Sequence, residues 1–89
     1  MKRLHPTTQF RKDFKKYARN PKKVRAFEVV ADMLIHEQPL PERYKLYPLK
    51  GNYSGCMECH IESDYLLIWI DGDIIELLRI GSHAELFGK

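Results

Sequence analysis

Three segments near the C-terminus decide the fold: Cys56-Met57-Glu58-Cys59-His60-Ile61, Tyr65-Leu66-Leu67-Ile68-Trp69-Ile70-Asp71, and Ile74-Ile75-Glu76-Leu77-Leu78-Arg79-Ile80. Each is short, and the last two are rich in β-branched or aromatic residues, as strands are. The last two are joined by Asp71-Gly72-Asp73, a tight hairpin signal. Upstream, Thr8 is expected to cap a helix carrying Phe10, Phe14, Tyr17 and Ala18 on one face, with Arg11, Lys12, Lys15, Lys16 and Arg19 mostly around the other. Asn20-Pro21 is an N-cap followed by proline at the first helical position. The second helix shows Val24, Phe27, Ala31, Leu34 and Ile35 at helical spacing, and Gln38-Pro39 ends the pattern.

Working outward, Lys2 to His5 reads as a short first strand, and Ser82-His83-Ala84-Glu85 fits a capping box that predicts a final helical turn with Leu86 and Phe87. The expected architecture is α+β: a short N-terminal strand, two helices packed on one face of an antiparallel sheet, and a short C-terminal helical turn. The opposite face of the sheet is expected to be free to bind something. Eighty-nine residues suit one domain over the whole chain, residues 1–89. No signal peptide or run of eighteen apolar residues is present, so a soluble cytoplasmic protein with no membrane contact is expected.

The net charge of +3 hides an asymmetry. Residues 1–50 hold 13 Lys and Arg against 5 Asp and Glu, a balance of +8, whereas residues 51–89 hold 2 against 7, a balance of −5. A basic half on so small a protein suggests an anionic partner, either nucleic acid phosphates or an acidic protein segment. The plainer reading is that these side chains solvate helix faces.

Strand alternation places Cys56, Glu58 and His60 on one face and Met57, Cys59 and Ile61 on the other, which faces the helices. Asp64 follows at the next turn, and His83 leaves the last strand just beyond Arg79. One rim of the sheet can thus gather Glu58, His60, Asp64, Arg79 and His83. Such a set suits RNA cleavage by the 2′-hydroxyl, with one histidine accepting a proton, the other donating one, and a cation steadying the phosphoryl charge. The connection Pro39 to Gly55 is long for so small a chain, as functional loops often are. Its Lys45 and Lys50, with Arg79, are candidates for phosphate contacts, and Tyr44, Tyr47, Tyr53 and Phe87 for base stacking.

Duller readings stand beside these: Asp64 as a turn cap, Glu58 as a solvated strand position, Phe87 as a core plug, and His5 and His36 as surface histidines. Cys56-Met57-Glu58-Cys59-His60 also spells the haem attachment pattern, but that motif belongs with export and a helical setting. Two reduced, incidental thiols are expected, with neither a disulfide nor a zinc site.

Three ordered motifs, Pro41-Glu42-Arg43-Tyr44-Lys45-Leu46-Tyr47-Pro48-Leu49-Lys50-Gly51, Glu58 to Ile68, and Arg79-Ile80-Gly81-Ser82-His83-Ala84-Glu85-Leu86-Phe87, closely resemble the YafQ-type branch of the RelE/ParE toxin superfamily. The resemblance covers residues 39 to 89 in motif detail and the whole chain in element order. It implies a RelE-like fold and a ribosome-dependent mRNA interferase, the toxin of a type II toxin–antitoxin pair. It implies a catalytic set of His60, Asp64 and His83, with Glu58 and Phe87 in the active-site neighbourhood and Arg79 near the scissile phosphate. Messenger RNA on the ribosome, ribosomal RNA and a cognate antitoxin are the implied partners, and operator DNA would be reached only through the antitoxin complex. No metal and no cofactor are expected. Tyr47 departs from the family, which commonly carries histidine before Pro-Leu; a phenol, with its ordinary pKa near 10, is a poorer base than imidazole. Two other readings share the fold: a ParE-like gyrase inhibitor, and a catalytically weak antitoxin-binding co-repressor that the Tyr47 departure favours.

Overall fold

The computed structural model describes residues 1–88. The elements are β1 (Arg3–Pro6), α1 (Thr8–Lys15), α2 (Pro21–Ile35), β2 (Tyr47–Pro48), β3 (Met57–Glu62), β4 (Tyr65–Ile70), β5 (Ile74–Gly81) and α3 (His83–Phe87). Short 3-10 turns at Glu42–Tyr44 and Gly51–Tyr53 flank β2. The sheet runs β1-β5-β4-β3-β2. Strands β2 to β5 pair antiparallel, whereas β1 lies parallel to β5, with Arg3 beside Ile74. The sheet is therefore mixed rather than antiparallel. Local patterning defines a strand, but its partner here is about seventy residues away, and only the path of the helices sets its direction.

The helix caps follow the polar side chains. Thr7, not Thr8, caps α1: its Oγ1 accepts the Phe10 amide at 3.2 Å and donates to the Leu77 carbonyl at 2.8 Å. That second bond ties the helix start to β5, which Thr8 inside the helix does not do. Asn20 caps α2 through the Lys23 amide at 3.2 Å, with Pro21 behind it. Ser82 and Glu85 complete the expected capping box of α3.

Phe10 and Val30 from the helices pack with Cys59, Ile61, Leu67, Trp69, Ile75, Leu77 and Ile80 of the sheet. Phe10, Phe14 and Phe27 form a ring cluster with centroids 5.3–5.7 Å apart. Burying such side chains contributes roughly 1.5–3 kcal/mol each.

The opposite face is not free throughout, as a sheet with only two helices would suggest. Cys56, Leu66, Ile68 and Leu86 form a second apolar cluster there, with Leu49, Tyr53 and Leu78 packed against it. The long connection and α3 supply that roof, which is why β4 is fully buried from Tyr65 to Trp69. Both thiols are free and buried, and they fall in different clusters. Burial pushes Cys59 up to about 12, so it is an inert core thiol. Among the described residues no helix is long and apolar enough to cross a membrane.

Candidate active site

The register of the sheet assembles the site in two adjacent rows. Tyr47, Glu58, Ile68 and Arg79 are successive partners across β2, β3, β4 and β5, and His60, Leu66 and Gly81 make the next row. These residues share the face away from α1 and α2, because partners in register point the same way. Beyond His60 the β3–β4 register shifts, and the turn that follows carries Asp64. Beyond Gly81 the chain turns into α3, whose first residue is His83.

Gly81 makes that turn possible. Its φ of +154° is one that L side chains rarely adopt, and an added Cβ would stand 2.7 Å from Glu85 Oε1. Glu85 needs that space to accept the Ser82 amide at 2.8 Å. Lys16 at 3.3 Å and the Tyr17 hydroxyl bind the same carboxylate. Tyr17 is the largest influence, and together they lower Glu85 to about 2. The end of α1 thereby holds the helical turn that bears His83.

The rings of His60 and His83 meet edge to face with centroids 5.5 Å apart. Each has its own carboxylate. Asp64 Oδ1 accepts both the His83 backbone amide at 2.8 Å and His83 Nδ1 at 2.7 Å. The backbone bond first, then the ring, lowers the Asp64 carboxyl below its ordinary range. With Nδ1–H directed at Asp64, the half-exposed ring presents Nε2 as an acceptor. His60 Nε2 lies 3.5 Å from Glu58 Oε1. Glu58 is only 1% exposed, and neither of its carboxylate oxygens has a hydrogen-bond partner. It is therefore not a solvated strand position. Tyr47 stands opposite Glu58 in the register, and its hydroxyl's approach to that carboxylate, followed by partial burial, raises the phenol above its usual range.

Arg79 lies on the same face, but its fork is largely engaged. Nε and Nη2 donate to Asp13 of α1 at 2.7 and 3.1 Å, and Nη1 reaches the Tyr53 hydroxyl at 3.4 Å. The Asp13 bond raises Arg79 further. Asp13, 5% exposed, also accepts the Ile80 amide at 3.1 Å, filling the ladder position where β1 has ended. Sequence reasoning missed it, since one acid among basic neighbours on an exposed-looking helix gives no signal. All three nitrogens of Arg79 are thus engaged within the protein, Nη1 by the longest contact.

Phe87, 39% exposed, stands 6.4 Å from His83 and edge-on to Tyr53 at 6.0 Å. With Lys50, Asn52 and Leu86 these two aromatics border a cavity of about 340 Å³. Phe87 is thus not a core plug. Tyr44 is no stacking platform, because it is buried in the main core. Lys45 and Lys50 are exposed on the connection. His5 lies on β1, outside the site, and His36 pairs with Asp32 of α2. Among the described residues no group of three or more His, Cys, Asp or Glu is placed to hold a metal ion.

The class of protein with this mixed five-stranded sheet and pair of helices is given by the family model that matches nearly the whole chain: a bacterial toxin of a type II toxin–antitoxin system. The chain belongs to the YafQ family: the family model for the bacterial toxin of type II toxin-antitoxin system, YafQ, matches residues 2–88. It is 34% identical over 82 residues to the mRNA interferase toxin YafQ of Escherichia coli K12, covering 90% of this chain and 89% of that one. The structure resembles YafQ in the E. coli DinJ–YafQ complex with a TM-score of 0.87 at 32% identity, covering 99% of this chain and all of the other. A metal-bound toxin from Helicobacter pylori gives 0.88 at 36% identity, over 98% of this chain and all of that one.

Proposed function

We propose that this protein is a ribosome-dependent endoribonuclease that cleaves messenger RNA without a metal ion. The observation that carries the reading is the pair of imidazoles 5.5 Å apart, each backed by a different carboxylate. His83, its tautomer fixed by Asp64, takes the proton of the 2′-hydroxyl at Nε2. The freed oxygen bonds to the adjacent phosphorus as the bond from phosphorus to the 5′-oxygen breaks. His60, beside Glu58, gives its proton to that departing oxygen. Arg79 and Lys50 offset charge gathering on the phosphoryl oxygens, Phe87 stacks on a base, and Tyr47 presents a hydroxyl to the phosphate. The products are a 2′,3′-cyclic phosphate and a 5′-hydroxyl, with atoms and protons balanced and no co-reactant.

The basic surface of α1 and α2 supports two partners. Arg11, Lys12, Lys15, Lys16, Arg19 and Lys22 are all exposed, a field that ribosomal RNA and an acidic antitoxin segment can each meet. The relation to YafQ, seen in complex with DinJ, supports a cognate antitoxin, with operator DNA contacted only by that complex. Cytoplasmic location follows from the substrate.

In-vitro translation tests the reading. The wild type is expected to halt protein synthesis, and His60→Ala or His83→Ala to restore it. Wild-type cuts should end in a cyclic phosphate. Full activity in either variant, or 5′-phosphate ends, refutes the mechanism.

A further inference from the structure

On the β3 side of the histidine pair, opposite the β5 end that leads to His83 and Phe87, lies a cavity of about 510 Å³ that proton transfer does not need. Its walls include Arg43, Tyr44, Lys45, His60, Glu62 and Ser63. The volume falls within the roughly 300–1,000 Å³ typical of small-ligand sites. Two features mark it as built. Arg43 is held rather than loose: its guanidinium carbon lies 4.8 Å from the Tyr44 ring centroid, and Nη2 donates to the Tyr44 hydroxyl at 3.0 Å. Lys45 takes the left-handed conformation, φ 49°, ψ 52°, that ends the turn Glu42–Tyr44, and its amide bonds back to the Glu42 carbonyl, which fixes its backbone at the cavity wall. Among the described residues neither cation makes an ion pair, while the one acid on the wall, Glu62, is paired with Lys23. The cavity therefore carries unneutralised positive charge beside the ring assigned to protonate the leaving oxygen.

We propose that this cavity is the subsite for the nucleotide on the leaving-group side of the cut, with its 3′-phosphate held by Arg43 and Lys45. The inference rests on the ribonuclease reading with His60 as acid. A proton donor to the 5′-oxygen must touch the ribose that carries it, and the next phosphate along that strand then falls toward the cations beyond His60. Arg43 supplies a planar fork and Lys45 a point charge, the two usual ways of holding phosphate. Ser63 adds a hydroxyl at the rim.

The test is a binding cycle on the intact protein with an uncleavable dinucleotide. The probe has 2′-deoxyribose at the attacking position and a 3′-terminal phosphate; a second probe lacks that phosphate. Backbone NMR shifts locate each probe, and titrations give affinities for the wild type, Lys45→Gln, and Arg43→Ala combined with Lys45→Ala. Lys45→Gln should keep the wild-type melting temperature, whereas the double variant, which also takes the partner from the buried Tyr44 hydroxyl, should melt somewhat lower while its backbone NMR spectrum stays that of the folded protein. Removing the terminal phosphate should weaken wild-type binding about tenfold, as expected for a lost charge-assisted contact. The double variant should bind both probes alike, Lys45→Gln should fall between, and the salt dependence should drop by about one unit of slope. Equal phosphate dependence in the wild type and the double variant overturns the subsite, as do shifts confined to the Lys50–Phe87 side or no binding at all. The ribonuclease reading survives those outcomes if His60→Ala and His83→Ala still abolish cleavage of ribosome-bound message; if they do not, both fall.

Discussion

Replacing Glu58 by glutamine should make the protein more stable and less active. The side chain is 1% exposed with neither oxygen hydrogen-bonded, and its nearest cationic partner is His60 Nε2 at 3.5 Å. Two unit charges at that separation attract by about 5 kcal/mol at an effective dielectric of about 20. Desolvating each ion costs several kcal/mol, so the pair comes close to balance in folding. An amide of the same shape avoids the carboxylate's desolvation, leaves the His60 ring, 17% exposed, in reach of water rather than stranded, and can donate to the nearby Tyr47 hydroxyl, for an expected gain of about 1–2 kcal/mol. With an unfolding entropy of roughly 2.1 cal/mol/K per residue, that gain raises the melting temperature of this 89-residue chain by about 5–10 °C. Cleavage should suffer the opposite effect, because the carboxylate no longer offsets positive charge on the proton donor; a fall of about 10²–10³ in kcat is in the range for a positioned acid. Thermal denaturation and single-turnover cleavage of ribosome-bound mRNA measure the two quantities on the same preparation. A variant that melts lower than the wild type while cleaving at full rate would refute the reasoning, since it would make Glu58 a structural residue only.

Asp64→Asn should leave the melting temperature within about 1 °C, because the Asp64 and His83 side chains are both substantially exposed. Cleavage should fall by about 10²–10⁴, as an amide facing Nδ1 can reverse the tautomer; retention of more than a tenth of the activity in a primer-extension assay would remove Asp64 from the mechanism. The Glu85 carboxyl, ordinarily near 4.5, sits at about 2 in the folded protein. A lowered folded value stabilises above the unfolded one, so its contribution is complete above about pH 5 and declines as the pH falls toward 2. Discounted for partial exposure, it amounts to about 1–2 kcal/mol. Urea midpoints across that window should fall more steeply for the wild type than for Glu85→Gln, and parallel curves would exclude Glu85 as the acid-sensitive link between α1 and α3.

The sequence alone placed the helices and the strands other than β2, which lies inside the stretch read as a connection, because their determinants are local. Asn20-Pro21 starts α2, Ser82 with Glu85 builds the box of α3, and alternation from Cys56 to Ile61 put Glu58 and His60 on one face. It also named most of the candidate site, since strand alternation and the loop positions of Asp64 and His83 can be read without knowing strand partners. What tertiary structure decided were matters of long-range pairing and enclosure. Strand β1 took its direction from β5, its partner across most of the chain. Asp13 became the clamp on Arg79 only because α1 ends beside the unpaired edge of Ile80. Glu58 became a buried carboxylate because the connection folds back as a roof, and Tyr44 a core residue because the turn Glu42–Tyr44 packs it into the helix-side cluster. A side chain's type and phase along its own strand are written in its neighbours in sequence. The dielectric and the partners it meets depend on chain segments whose positions no local pattern encodes.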